Sequence, residues 1–191
     1  MRTRDEKQAL GSLDQLDKIL EKDPTRTSAQ FNKGNVLLRL CRLQEALLAY
    51  DRLIVVDRLD LAAHDHRGVV LRELGRPEQA IESYHRALSL DATHAGVHNN
   101  LGIALEDLGC WEDAEKAYLE AVRLDPTAPL YWTNLGQILL LQGRFDAAWL
   151  LFEQRLGMRG PGETEARLGL GEVHLAVGDA TPRQPRFSIE L

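Results

Sequence analysis

Apolar residues recur along the chain at the spacing of amphipathic helices. Residues 3–23, for example, carry Leu10, Leu13, Leu16 and Leu20 at intervals of three or four residues. Residues at this spacing lie on one face of an α-helix. Further segments of the same kind follow in pairs, separated by short turns that contain glycine or proline. The pattern therefore predicts an all-α chain built from short helices.

The helical segments also repeat one another. In residues 95–128 two segments meet at Gly109 and end at Asp125-Pro126. Residues of the same size return at intervals of 34 in three columns, which are Gly34, Gly68, Gly102 and Gly136; Ala46, Ala80, Ala114 and Ala148; and Tyr50, Tyr84, Tyr118 and Phe152. A constant interval in several columns is the signature of an internal repeat.

Each column has a physical reason. Glycine on the first helix of a unit is expected to face alanine on the second, so that the two backbones approach closely. The aromatic column is expected to fill the gap towards the next unit and to bury a large apolar area. The turn glycines, of which Gly109 is one, are expected to end the first helix in a left-handed cap. Because one unit cannot bury its apolar face alone, stability is expected from stacking.

The order of these residues resembles the tetratricopeptide repeat (TPR), a helix–turn–helix unit of about 34 residues. The resemblance implies an all-α fold, a right-handed α-solenoid of stacked helix–turn–helix repeats over residues 3–178. Its predicted parts are an N-terminal capping helix at 3–23, four full repeats at 27–60, 61–94, 95–128 and 129–162, and a partial repeat or capping helix at 164–178. Residues 179–191 contain two prolines and no helical period, and are expected to form an extended tail or linker.

Composition narrows the classes of partner. The 191 residues include 23 basic and 29 acidic residues, a net charge of −6, and 44% are hydrophobic. The apolar content suffices for a substantial core, and the acidic balance argues against nucleic acid as a partner. No run of 18 apolar residues is present, so no membrane partner is expected. The chain begins with charged residues and not with an apolar signal core, which favours a cytoplasmic location.

The residues that often carry chemistry fall on packing positions of the repeat. The two cysteines lie at turns two units apart, too far for a disulfide. His64 and His98 share a column with Gln30 and Trp132, and no cysteine or carboxylate completes a metal-ligand set around them. No nucleotide-binding or protease motif is present. We therefore expect no metal, no cofactor and no catalysis by this chain.

Three aromatic residues in the last units are open to two interpretations. Trp111 and Phe145 share a column with Leu43 and Pro77, which predicts that both belong to the core. Trp149 is predicted to pack under the helix at 164–178; the alternative is an exposed tryptophan that binds a partner.

One polar column is the most informative feature for function. Asn32, His66, Asn100 and Asn134 stand two residues before the repeated glycines. In stacked TPR units the first helices line the concave surface, and the resemblance implies that this column points into it. The column resembles the asparagine ladder in the superhelix of O-GlcNAc transferase, where such side chains hold a polypeptide backbone; His66 interrupts it here. An amide offers both a donor and an acceptor, which suits a peptide bond.

Other groove candidates flank this column. The flanking polar residues are Asn35, Asn99, Thr133 and Gln137, and the negative charges are Asp65, Glu73, Glu106 and Asp107. The alternative interpretation is that the asparagines bridge neighbouring helices or face water. A carboxylate clamp, a second TPR binding mode, is not expected, because lysine and arginine are required where this chain has Phe31, Gly96 and Asn100.

The sequence therefore predicts a non-catalytic scaffold for protein–protein interaction that binds an extended peptide or a partner protein in a concave groove. Two alternatives stay open. The chain could position substrates as a TPR segment of a larger, transferase-like enzyme, or it could self-associate through its end helices as a homo-oligomer.

Overall fold

The computed structural model describes residues 4–155, and every regular element in that range is an α-helix. The helices are α1 (Arg4–Lys22), α2 (Thr27–Arg39), α3 (Leu43–Val56), α4 (Leu61–Glu73), α5 (Pro77–Leu90), α6 (Ala95–Asp107), α7 (Trp111–Leu124), α8 (Pro129–Leu141) and α9 (Phe145–Arg155). The predicted helix at 164–178 and the predicted tail at 179–191 lie outside the described residues.

Consecutive helices stack into one continuous array. The tightest pairs are α2 with α3, α4 with α5, and α6 with α7, and α8 pairs with α9 in the same way. Each pair also packs on the next through its neighbouring helices, and the first helices α4, α6 and α8 touch in sequence. Helix α1 packs against α2 at the N-terminal end. The fold is thus the all-α helical solenoid that the repeat pattern predicts.

A tyrosine ring covers three of the repeated glycines, Gly34, Gly68 and Gly102. A Cβ atom at Gly34 would lie 2.5 Å from Cζ of Tyr50, well inside van der Waals contact. The nearest ring distances at Gly68 and Gly102 are 2.5 and 2.6 Å, to Tyr84 and Tyr118. The three tyrosines are fully buried. The atoms nearest to these glycines thus belong to the tyrosine rings and not to the alanine column: glycine leaves a slot on the first helix, and the ring fills it.

The turn within each unit adopts the predicted left-handed cap. Gly75, Gly109 and Gly143 have φ angles of 71°, 73° and 74°. Cys41 takes the same place in the first full unit and has a φ of 55°, the only positive value at a non-glycine residue between 4 and 155. Glycine carries no steric penalty in this region, whereas a residue with a Cβ is strained there. Cys41 therefore marks a strained turn.

The column of Gln30, His64, His98 and Trp132 ties each unit to the loop before it. Each side chain places a nitrogen against the backbone carbonyl six residues earlier, at Pro24, Arg58, Ala92 and Pro126, with N···O distances of 3.3, 3.1, 2.9 and 2.8 Å. A carbonyl oxygen only accepts, so Nε2 of both histidines carries the proton. The column has a packing role, as predicted, and its shared requirement is an N–H donor.

Two aromatic residues depart from prediction. Trp111 is 39% exposed and Phe145 is 66% exposed, so the prediction that they belong to the core is wrong. Each is the first residue of its helix, directly after the turn within its unit. Trp149 is 65% exposed, and its predicted cover at 164–178 lies outside the described residues.

Candidate functional site

The first helices of the units share one face, on which the polar column lies. We define this ladder face by Asn32, His66, Asn100 and Asn134, from α2, α4, α6 and α8. Asn32 is exposed and the other three are partly buried. Because α4, α6 and α8 contact one another directly, their side chains form a continuous surface along the solenoid.

Each ladder residue after the first reaches back to the residue 35 positions earlier. The ring of His66 packs edge-on against Phe31, with 5.0 Å between centroids. Nδ2 of Asn100 donates to Oδ1 of Asp65 at 2.9 Å. Nδ2 of Asn134 donates to Oδ1 of Asn99 at 2.7 Å. The predicted alternative, in which the asparagines bridge neighbouring helices, therefore describes part of what they do.

These contacts use only part of each amide. A side-chain amide has two N–H donors and an oxygen with two lone pairs. One N–H of Asn100 and one of Asn134 bond the first helix of the preceding unit, which leaves a donor and an acceptor on each side chain. The inter-helix bond also fixes the orientation of the amide, so little side-chain entropy remains to be lost when a ligand binds.

The flanking candidates occupy different environments. Asn35 accepts a hydrogen bond from the Tyr50 hydroxyl at 2.7 Å. Asn99 is only 3% exposed, so it supports Asn134 from beneath and does not face the surface. The Thr133 hydroxyl donates to the Pro129 carbonyl at 2.9 Å. Gln137, in contrast, is exposed.

The buried tyrosines send their hydroxyls towards the ladder face. The Tyr118 hydroxyl donates to Oε2 of Glu106 at 2.8 Å, as Tyr50 donates to Asn35. The Tyr84 hydroxyl is fully buried and has no hydrogen-bond partner. Burial raises the pKa of Tyr84, and the charge of Asp65 raises it further. The Tyr84 hydroxyl therefore stays protonated, and its O–H has no acceptor.

The repeat pattern alone does not predict these hydroxyl contacts, because it identifies the tyrosines only as large apolar residues. A signal was nevertheless present. The acceptors are Asn35, one residue after Gly34, and Glu106, four residues after Gly102. At the same two positions in the second full unit stand Val69 and Arg72, and neither side chain can accept a hydrogen bond.

Negative charge concentrates on α4 and α6. We call Asp65, Glu73, Glu106 and Asp107 the acidic patch. Arg72 lies among them: its Nη2 is 2.6 Å from Oε1 of Glu73, and its Nη1 is 3.6 Å from Oδ2 of Asp107. This guanidinium contacts two of the four carboxylates and offsets one negative charge, so the patch keeps a net negative charge.

No other cluster in the described residues suggests chemistry. Between residues 4 and 155, no three His, Cys, Asp or Glu side chains are grouped to hold a metal ion. Cys41 and Cys110 are free thiols at the surface. No helix in that part of the chain has the length and apolar character needed to cross a membrane.

The comparison with protein families identifies the repeats. The family model described as "Tetratricopeptide repeat" matches residues 11–64, 66–129 and 101–157. These matches cover well over half of the chain. Among the curated proteins, none matches it.

Solved structures share the fold at low sequence identity. MamA is 21% identical, with 87% of this chain and 98% of that chain covered and a TM-score of 0.72. YrrB, described as a TPR protein with an unusual peptide-binding site, is 18% identical, with coverages of 85% and 84% and a TM-score of 0.65. The first TPR of Spaghetti (RPAP3), bound to the HSP90 peptide SRMEEVD, is 20% identical, with coverages of 63% and 96% and a TM-score of 0.60. Identities this low show the fold alone.

Proposed function

Because this chain belongs to the tetratricopeptide repeat family, we propose that it is a non-catalytic scaffold whose ladder face binds an extended peptide, or an extended segment of a partner protein. The proposal is carried by the successive inter-helix bonds of Asn100 and Asn134. Each bond orients an amide and leaves it one donor and one acceptor. A peptide group in an extended segment offers the complementary acceptor and donor. Two oriented amides one repeat apart can therefore hold a backbone without reading its side chains.

Similar folds hold peptides elsewhere. YrrB is a TPR protein with an unusual peptide-binding site, and the first TPR of Spaghetti (RPAP3) binds the HSP90 peptide SRMEEVD. In this chain the proposed contacts follow the asparagine-ladder mode. The carboxylate-clamp mode is disfavoured because Phe31, Gly96 and Asn100 stand where that clamp requires basic residues.

The test is a selection followed by matched variants. A random nonapeptide library displayed on phage is panned against the whole chain, and the recovered peptides are synthesised for fluorescence anisotropy. Asn100→Ala combined with Asn134→Ala removes both amides. Each hydrogen bond contributes about 0.5–1.5 kcal/mol, so the pair should cost about 2 kcal/mol or more, which is at least thirtyfold in affinity.

A second variant separates binding from folding. Asn99→Ala and Asn134→Ala break the same 2.7 Å bond, but only the latter removes a ladder amide. We expect both to lower the melting temperature slightly, and only Asn134→Ala to weaken peptide binding strongly. Equal loss of affinity in both variants would mean that the amides act through structure. Recovery only of peptides that bind the double variant at full affinity would place the binding site elsewhere.

A further inference from the structure

We propose that the peptide held by the ladder face is basic: a Lys or Arg side chain pairs with Glu73 and Asp107 between α4 and α6, and a nearby backbone carbonyl accepts the hydrogen bond of the Tyr84 hydroxyl. This inference rests on the proposed function and adds the chemistry of the ligand.

The first support is the charge balance of the acidic patch. Arg72 contacts Glu73 closely and Asp107 at 3.6 Å, and its charge offsets only one of the carboxylates around it. The side chains of Glu73 and Asp107 are 47% and 43% exposed, so both are accessible to a ligand. Asp65 and Glu106 are engaged by Asn100 and Tyr118, which holds their charge in place. A cation entering here would meet an excess of negative charge.

The second support is independent of charge. Three equivalent tyrosines lie under the same face, and two of their hydroxyls reach an acceptor on the first helix of their own unit. Tyr84 has none, although its hydroxyl is fully buried. An unmade hydrogen bond of this kind is costly. An acceptor supplied by a ligand would remove that cost.

The two observations meet at one place. The Tyr84 ring packs on Gly68 of α4, about one helical turn before Arg72 and Glu73, so it lies beside this part of the acidic patch. Its hydroxyl is inaccessible in the free chain, and a side chain must therefore move before a ligand can reach it. Arg72 is the natural candidate, because a ligand cation would compete with it for Glu73 and Asp107. A ligand cation that pairs with Glu73 and Asp107 would thus displace Arg72 and make the Tyr84 hydroxyl accessible.

The nonapeptide selection tests this directly. We expect the recovered peptides to be enriched in Lys and Arg, and their affinity to fall as salt is raised, because ions screen exposed charges. Glu73→Gln with Asp107→Asn should weaken them three- to tenfold, as expected for partly exposed ion pairs. Glu78→Gln with Glu112→Gln is the matched control, since it removes equal charge from the second helices α5 and α7.

Tyrosine variants test the buried donor. Tyr84→Phe should weaken the same peptides two- to tenfold, whereas Tyr118→Phe, which loses a bond made within the chain, should leave affinity within twofold. Neutral or acidic peptides that still depend on Asn134 would overturn the basic ligand while leaving the proposed function intact. Peptides indifferent to Asn134 would overturn both. Basic peptides that bind equally to Tyr84→Phe would remove the carbonyl contact from the proposal.

Discussion

The fit of ring to glycine can be tested by adding one methyl group. In Gly102→Ala the new Cβ would lie 2.6 Å from Cε1 and 2.7 Å from Cδ1 of Tyr118. Overpacking of a well-packed core costs about 1–3 kcal/mol. Alanine is favoured over glycine within a helix by about 1 kcal/mol, which offsets part of this cost. We expect a net loss of about 1 kcal/mol in the free energy of unfolding.

The control is the same substitution at a glycine with open space around it. Gly11 lies in α1 and is exposed, and apart from its chain neighbours and the backbone of its own helix no atom stands within 4 Å of the position that its Cβ would take. Gly11→Ala should therefore stabilise the chain by about 0.5–1 kcal/mol. The two substitutions are expected to change the free energy of unfolding in opposite directions, so the comparison does not depend on the exact size of either change.

The assay is urea unfolding followed by circular dichroism, with Tyr118→Leu as a second background. Removal of the ring should relieve the clash, so Gly102→Ala should cost at least 1 kcal/mol less in that background than in the parent chain. If Gly102→Ala is as stabilising as Gly11→Ala, or if the cost is unchanged without the ring, then the tyrosine does not occupy the slot above the glycine.

Three further predictions concern single side chains. Tyr118→Phe should lower the free energy of unfolding by about 1 kcal/mol, whereas Tyr84→Phe should leave it unchanged or raise it, because only the first hydroxyl has a partner. Cys41→Gly should raise the melting temperature, since relief of a left-handed non-glycine residue returns about 1 kcal/mol. The Thr93 hydroxyl lowers the pKa of Asp91, so the stability that this turn contributes is present above the ordinary carboxyl pKa and is lost as the pH falls through the lowered value. Thr93→Val should raise the pKa of Asp91 in an NMR titration.

The sequence predicted the fold well because a repeat presents the same signal several times. The interval of 34 residues recurs in independent columns, and the turn glycines mark where each first helix ends. A single histidine could be either a metal ligand or a packing residue, but His64 shares its column with Gln30 and Trp132, which favours packing. The structure shows the common chemistry, an N–H that reaches the preceding loop.

Contacts between units were harder to predict. The bond from Asn134 to Asn99 joins residues 35 apart, and it depends on the rise and rotation from one unit to the next, which the interval alone does not encode. The burial of Asn99 follows from the same geometry. The exposure of Trp111 and Phe145 is hard to predict for a related reason, since a residue at the start of a helix has no periodic neighbours on its N-terminal side that indicate its exposure.

In a repeat protein, equivalent positions of successive units share an environment, so a residue that differs from its counterparts can be compared with them directly. The departures on this face gather in the second full unit. His66 replaces asparagine in the ladder, Arg72 stands where the next unit has Glu106, and Tyr84 lacks the acceptor that its counterparts have. Stacking of the solenoid requires none of these changes, since the third unit packs without them. Asparagine side chains can bond the backbone of a peptide of any sequence, whereas the acidic patch and the unpaired Tyr84 hydroxyl favour one kind of ligand group. We therefore expect Asn100 and Asn134 to contribute affinity for the peptide backbone, and the second full unit to determine ligand specificity.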